Sequence, residues 1–343
     1  MVAAAAAGSD LPGGSPAISV IMPVYNGAAF IERSLPPLIG MLRRREVTEV
    51  IVVDDASTDD TPAVAAKLGA RIIPAGGRLG PGGARNQAAR PAIGEILWFV
   101  DADVVVHDDA AAELRRAFAE PGVTAVFGSY DDRPPAKGFF SQYKNLIHHF
   151  HHQRGQREAA TFWAGCGAVR KDAFLSAGGF DATAYSQPSI EDIELGWRLR
   201  AAGGRIVLRP SLQGTHLKAW GLANLVHTDV FRRALPWSRL MLSRSGMVND
   251  LNVGTAERLR AVAAGLFFAG GAACLHPAVP GWVPVALVAG IAAVNAELVG
   301  FFYRRRGALF ALGGLLFHQV YYVYSGAVFV WCLLEARLNR FAR

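Results

Sequence analysis

The chain reads as an α/β domain, a mostly parallel central sheet flanked by helices, followed by helices apolar enough for a membrane. Three observations carry that expectation. Ile96-Leu97-Trp98-Phe99-Val100 is an apolar run that stops abruptly at Asp101 and Asp103, as a buried strand delivering charge to its C-terminal edge would. Strand-length apolar runs alternate with helical spacing from residue 18 to residue 100. From Ala261 to Leu334 charge all but disappears, apart from Glu297 and Arg304-Arg305-Arg306.

The elements follow in order. Ile18 to Val24 is an apolar strand that breaks into the loop Tyr25-Asn26-Gly27, and Phe30, Ile31, Leu35, Leu38 and Leu42 then recur at helical spacing. Glu49 to Val53 is a second buried strand and ends in Asp54 and Asp55. Ala56 to Pro62 is rich in capping residues and opens a helix. Arg71-Ile72-Ile73 is a short third strand. Gly80-Pro81-Gly82-Gly83 leads into a helix carrying Arg85, and Ile96 to Val100 is the fourth strand. In such a sheet the ligand site lies at the strand C-termini.

Residues i and i+2 of an extended chain share a face, so Asp101 and Asp103 can address one hard cation such as Mg2+ or Mn2+. Asp is equally a common turn residue. The loop at 80–83 lacks the spacing of a dinucleotide fingerprint and does not follow the first strand. Arg85 beside it has the fork that suits a phosphate. Ser189-Ile190-Glu191-Asp192 has the form of a capping box, so the local pattern alone favours a helix cap there.

These pieces together resemble a family 2 glycosyltransferase of GT-A fold. The resemblance is carried by Pro23-Val24-Tyr25-Asn26, Val53-Asp54-Asp55-Ala56-Ser57-Thr58-Asp59, Gly80-x-x-x-Ala84-Arg85-Asn86 and Asp101-x-Asp103. It continues through Trp163-Ala164-Gly165-Cys166-Gly167, Gly178-Gly179-Phe180-Asp181 and Glu191-Asp192, to about residue 220. It implies that Pro23, Tyr25, Asp54 and Asp55 line the nucleotide side of a nucleotide-sugar donor, UDP- or GDP-linked. Arg85 would approach the diphosphate, and Asp101 and Asp103 would hold Mg2+ or Mn2+ with it, His216 being a further ligand. Asp192 would be the general base, with Glu191, Trp163 and Gly165 on the acceptor side. The processive polysaccharide synthases of the family carry Gln-x-x-Arg-Trp. This chain has no such motif, which favours a single transfer.

The 343 residues carry a formal charge of +7 and are 52% hydrophobic. The basic excess fits an anionic membrane surface better than nucleic acid, since no nucleic-acid-binding module is recognisable. Residues 1–16 read as a disordered tail, 17–218 as the catalytic domain, 219–257 as an amphipathic interfacial segment, 258–336 as a multi-pass membrane domain of two or three spans and 337–343 as a basic tail. Trp282 to Tyr303 and Ala308 to Leu334 are each long enough to span a bilayer, whereas Ala261 to Leu275 is short. The arginines near 258–260, 304–306 and 337–343 cannot all be placed on the cytoplasmic side by a simple count of spans. Three scattered cysteines, Cys166, Cys274 and Cys332, do not suggest a disulfide framework.

Phe139, Phe140, Tyr143, Leu146, Ile147 and Phe150 recur at helical spacing, interleaved with histidines, and suggest an amphipathic helix at the bilayer surface or a core helix with a polar face; His148 and His152 are also placed for a metal pair. Arg232, Arg233 and Arg239 lie in an apolar, aromatic stretch that suits an anionic headgroup. The expectation is therefore a membrane-anchored, metal-dependent, inverting transferase with its catalytic domain cytoplasmic. Its acceptor would be lipid-borne, a glycolipid hydroxyl or a polyprenyl phosphate. A nucleotidyltransferase is disfavoured because no early Gly-rich loop with Lys is present. A sugar-nucleotide-binding scaffold without turnover is disfavoured by the intact acids.

Overall fold

A computed structural model describes residues 16–243 and 254–341, and the chain forms two compact units. The expected tail (apart from Pro16), residues 244–253 of the expected interfacial segment, and Arg343 lie outside the described residues.

The first unit runs to Ser129 and resumes over Arg157–Leu217. Its strands are β1 (Ile18–Val24), β2 (Glu49–Asp54), β3 (Arg71–Pro74), β4 (Ile96–Val100), β5 (Val104–Val106), β6 (Val123–Tyr130), β7 (Cys166–Arg170) and β8 (Arg205–His216). They form one sheet in the order β3-β2-β1-β4-β7-β6-β8-β5. The four leading strands are parallel, with Val20 opposite both Val50 and Trp98. β7 then pairs antiparallel with β4, and β5 antiparallel with β8. Helices α1 (Ala28–Arg43), α2 (Thr61–Leu68), α3 (Gly80–Ala89), α4 (Ala110–Phe118), α6 (Lys171–Ser176) and α7 (Glu191–Ala201) connect strands of this unit. All five residues of β4 are fully buried, consistent with a central strand flanked on both sides. Burial of each large side chain there contributes about 1.5–3 kcal/mol. Strand order reverses between β1 and β4, and a crevice opens outside the carboxyl ends of strands at such a point.

The second unit contains Tyr130–Gln156 and the chain from Lys218. Its helices are α5 (Phe139–Arg154), α8 (Leu222–His227), a π-helical stretch (Thr228–Ala234), α9 (Leu235–Ser243), α10 (Thr255–Ala273), α11 (Val283–Val294) and α12 (Ala296–Phe341). The core gathers Tyr143, Leu146 and Phe150 of α5 with Trp220, Leu225, Leu298, Phe302 and Ala311. Ser141, Gln142, Asn145, His149 and His152 of α5 are buried as well. Asn145 Nδ2 donates to the Asp131 carbonyl (2.6 Å), and His149 Nδ1 lies 2.8 Å from the Tyr130 carbonyl oxygen. The helix expected at a bilayer surface is thus a core helix, its histidines serving protein partners. His148 and His152 stack face to face, with centroids 3.8 Å apart. Arg239 forms a bidentate pair with Glu335 (2.9 Å), so that guanidinium is already committed.

Among the described residues one helix, Ala296–Leu338, is long and apolar enough to cross a membrane. The stretch Trp282 to Tyr303 is not one span: it is divided at Asn295 between α11 and α12. The Asn295 amide turns back onto the Ile291 carbonyl at 2.9 Å, ending the shorter helix. Gly307, at φ 81°, breaks helical geometry within α12 directly after the Arg304-Arg305-Arg306 cluster.

Candidate active site

The ends of β1 and β2 are stitched together by their loops. The Asn26 side chain accepts from the Thr58 N–H (2.8 Å), while Ser57 Oγ, Thr61 Oγ1 and Asp59 accept from the N–H groups of Asn26, Gly27 and Ala28. This satisfies backbone donors at the start of α1 and leaves Tyr25 exposed at the crevice edge. Pro23 is half-buried at the end of β1. The Arg78 guanidinium lies 3.2 Å from the Tyr25 ring centroid. Asp54 Oδ1 accepts from the Ser57 N–H at 3.1 Å and is half-buried. Asp55 behaves differently. It is buried, and its oxygens accept from the Leu79 and Gly80 N–H groups at 2.6 and 3.1 Å. Asp55 thereby fixes the entry to α3, a carboxylate at a helix N-terminus.

The glycines before α3 are explained by close approach. Gly80 has φ +71°, and a Cβ there would lie 2.2 Å from the Ser186 carbonyl oxygen. That approach brings α3 against the segment leading to α7 (Glu191–Ala201). Asn86 completes the contact, donating to the Phe180 carbonyl and accepting from the Phe180 N–H, both at 2.8 Å.

Arg85 is buried between two carboxylates. Its Nη2 lies 2.5 Å from Asp101 Oδ1 and its Nη1 3.4 Å from Glu191 Oε1. Burial opposes its charge, but Asp101, Glu191 and Asp192 outweigh that and hold its pKa above the ordinary value. Burial, reinforced by neighbouring Asp192, pushes Glu191 up to about 7 against the pull of Arg85. The Cys166 thiol, likewise buried, is pushed up to about 12 and is no nucleophile near neutral pH.

The Asp101-x-Asp103 turn is held from three sides. The Asp101 N–H donates to the Gly165 carbonyl (3.0 Å), Ser34 Oγ donates to the Ala102 carbonyl (2.6 Å), and the Leu217 N–H donates to the Asp103 carbonyl (2.8 Å). The last bond brings the end of β8 alongside, and His216 Nε2 stands 3.4 Å from Asp103 Oδ2. Adjacent ligands on an octahedral ion with bonds of ~2.1 Å are separated by about 3 Å, so this pair fits one divalent cation. Carboxylate oxygens with one imidazole suit Mn2+, and carboxylates alone suit Mg2+. Among the described residues no three acidic, His or Cys side chains already converge on one point. Two protein ligands plus ligand phosphates is the usual Mg2+ arrangement.

Asp192 is tied to the same turn. Its Oδ2 accepts from the Ala164 N–H at 3.0 Å, one residue before the Gly165 carbonyl that holds Asp101. Trp163 covers this loop closely enough that a Cβ on Gly165 would lie 2.5 Å from its indole. The N-cap of α7 is Ile190, and Ser189 donates its backbone N–H to Glu191 Oε2 at 2.9 Å.

Of the residues singled out in the sequence, Arg85, Asp101, Glu191, Asp192, Trp163 and Gly165 form one connected group, with Asp103 and His216 joined to it through the Asp101 turn. Pro23, Tyr25 and Asp54 line the strand ends beside them. Arg78, Ser34 and Asn86 were not recognised as contributors. Only Asn86 carried a signal, as the last residue of the Ala84-Arg85-Asn86 motif.

Residues 19–177 match the model of glycosyl transferase family 2. A pre-mycofactocin glycosyltransferase of Mycobacterium tuberculosis (strain ATCC 25618 / H37Rv) is 28% identical over 204 residues, covering 56% of this chain and 41% of that protein. An N-acetylglucosaminyl-diphospho-decaprenol L-rhamnosyltransferase of M. tuberculosis (strain CDC 1551 / Oshkosh) is 27% identical over 246 residues, covering 59% of this chain and 76% of that protein. The chain spans about half or less of the length of the first curated relatives it matches. Among solved structures, a mannosyltransferase of Pyrobaculum calidifontis in complex with GDP-Man and Mn2+ aligns with TM-score 0.51 at 20% identity, covering 93% of this chain and 88% of that one. That likeness establishes the GT-A fold.

Proposed function

We propose that the chain, whose residues 19–177 match the model of glycosyl transferase family 2, moves one sugar, with inversion, from a nucleotide-sugar to a lipid-borne acceptor. The observation that carries the reading is the link through residues 164 and 165: Asp192 and Asp101 are held by neighbouring peptide groups of one loop. A base and a diphosphate-side carboxylate are thereby fixed in one frame, which is the positioning a displacement needs.

In this reading Tyr25, Pro23 and Asp54 receive the base and ribose of a UDP- or GDP-sugar. Asp55 shapes the α3 entry beside them instead of touching the nucleotide. Arg85 holds Asp101 and Glu191 in place and adds positive charge behind the diphosphate. Asp101, Asp103 and His216 would hold Mg2+ or Mn2+, whose contribution when bound is to neutralise charge on the departing diphosphate. An acceptor hydroxyl oxygen bonds to the anomeric carbon as the bond to the diphosphate oxygen breaks, that oxygen keeping the electron pair. Asp192 takes the hydroxyl proton. Glu191, Trp163 and Gly165 form the acceptor side.

A base is needed for a hydroxyl and superfluous for a phosphate already ionised near neutral pH. Asp192 therefore supports a glycolipid hydroxyl as acceptor. The apolar helix Ala296–Leu338 supports membrane association. Two proteins outside this chain point the same way: the decaprenol-linked rhamnosyltransferase is named for a lipid-linked acceptor, and the Pyrobaculum enzyme was solved with GDP-Man and Mn2+. The test is transfer of labelled sugar from a panel of nucleotide-sugars into an organic-phase lipid extract by the solubilised full chain. Transfer from one donor, abolished in Asp192→Asn, supports the reading; label that enters lipid equally with Asp192→Asn overturns the assignment of the base.

A further inference from the structure

Within the second unit a cleft of about 670 Å³ opens between Arg133–Gln142, at the start of α5, and Arg306 and Phe310 in the first third of α12. We propose that this cleft binds the phosphate of a membrane lipid, with the start of the acyl or prenyl chain against its aromatic floor. The inference rests on the membrane reading above but not on the identity of the donor or acceptor.

The floor is apolar. Phe139 and Phe310 face each other with centroids 5.3 Å apart, and Phe139 packs further on Phe140, Tyr143 and Phe317. The Gly313 position is tight against the same ring, a Cβ there lying 3.2 Å from Phe139. The rim is cationic, formed by Arg133, Lys137 and Arg306.

Arg306 is held rigidly. Its Nε donates to Gln142 Oε1 (2.6 Å), its Nη2 to the Asp132 carbonyl (2.7 Å) and its Nη1 to the Arg305 carbonyl (2.8 Å). A guanidinium has five N–H donors, so donors remain for an anion after these are made. The acid nearest this rim is already taken: Arg305 pairs with Asp132 at 2.5 Å, and Arg133 reaches the same carboxylate only at 3.9 Å. Among the described residues no carboxylate pairs with Lys137.

Three cations with one neutralised acid, over a floor of aromatic rings, complement an amphiphile with an anionic head. A free phosphate would use the rim and leave the floor wet. A neutral lipid would use the floor and leave the rim uncompensated. Pro134-Pro135 restricts the backbone between Arg133 and Lys137.

The test titrates the full chain in a neutral detergent with dodecyl phosphate, inorganic phosphate and dodecyl maltoside, by calorimetry. Expected is saturable binding of dodecyl phosphate that weakens with salt, falls at least tenfold in the doubly substituted Arg133→Gln/Lys137→Gln protein, and exceeds inorganic phosphate by at least tenfold. Phe310→Ser should erase the preference for the alkyl chain while leaving inorganic phosphate unchanged. All three positions belong to the second unit and are outside the residues assigned to the donor and the base. Stabilisation of the same preparations by nucleotide-sugar reports separately on the donor site. Equal binding of alkyl and inorganic phosphate would overturn the proposal in favour of a free-anion site. Dodecyl phosphate binding that ignores the double substitution would overturn it outright.

Discussion

Arg85 and Asp101 meet at 2.5 Å in the buried floor of the site, where the guanidinium also reaches Glu191. Asp101 and Glu191 therefore share one cation. Removing it leaves the buried Glu191 carboxylate without its partner, beside a partly exposed Asp101.

Arg85→Met should destabilise the first unit by ~3–5 kcal/mol at pH 8, as loss of one partner of a buried pair does. Chemical denaturation of the full chain measures this. The loss should shrink at pH 6, where Glu191 can take up a proton. A loss independent of pH would mean that Glu191 does not share the charge.

Glu191 also predicts a stability profile. With its pKa raised from 4.5 to about 7 in the folded chain, chiefly by burial, the folded state binds more protons than the unfolded one between those values. Its contribution is complete below the unfolded value and is lost as pH rises through about 7. The melting temperature should therefore fall from pH 5 to pH 8 more steeply in wild type than in Glu191→Gln, which has no proton to lose. Parallel profiles for the two proteins would remove Glu191 as the cause.

Asp192→Asn should keep donor binding within twofold and reduce the rate of transfer by roughly 10²–10⁴, the usual contribution of a positioned base. Separate measurement of donor affinity and single-turnover transfer distinguishes this from a folding defect, which would lower both.

Gly165→Ala should strain the loop that connects Asp101 with Asp192, since the added carbon would meet the Trp163 indole. A destabilisation of ~1–3 kcal/mol is expected for such overpacking. Trp163→Ala combined with Gly165→Ala should be less destabilised than the sum of the single changes. Strict additivity would show that the two do not collide.

The parallel strands were readable because each is a short apolar run ended by polar residues, so Asp54, Asp101 and their neighbours could be placed at one sheet edge before any coordinates. What Arg85 does there was not readable. Whether a guanidinium faces a ligand or two carboxylates depends on α7, more than a hundred residues away, coming to rest on Gly80 and Gly82. Helix α5 misled for a related reason: its histidines and amides look solvent-facing in sequence, yet the Tyr130 and Asp131 carbonyls satisfy them inside the second unit. The run from Trp282 to Tyr303 is uniformly apolar, and hydropathy does not register the Asn295 side chain that closes one helix before the next begins.

In the proposed function Asp103 and His216 would join a divalent cation to the donor diphosphate beside Arg85 and Asp101. The most direct measurement is thermal stability of the full chain with UDP- and GDP-sugars, with and without Mn2+, in wild type and Asp103→Ala. A ligand at a hundred times its Kd adds about 2.7 kcal/mol to the folded state. One nucleotide-sugar should stabilise wild type only when Mn2+ is present and leave Asp103→Ala unmoved. Metal-independent stabilisation, or an equal shift in Asp103→Ala, would contradict it.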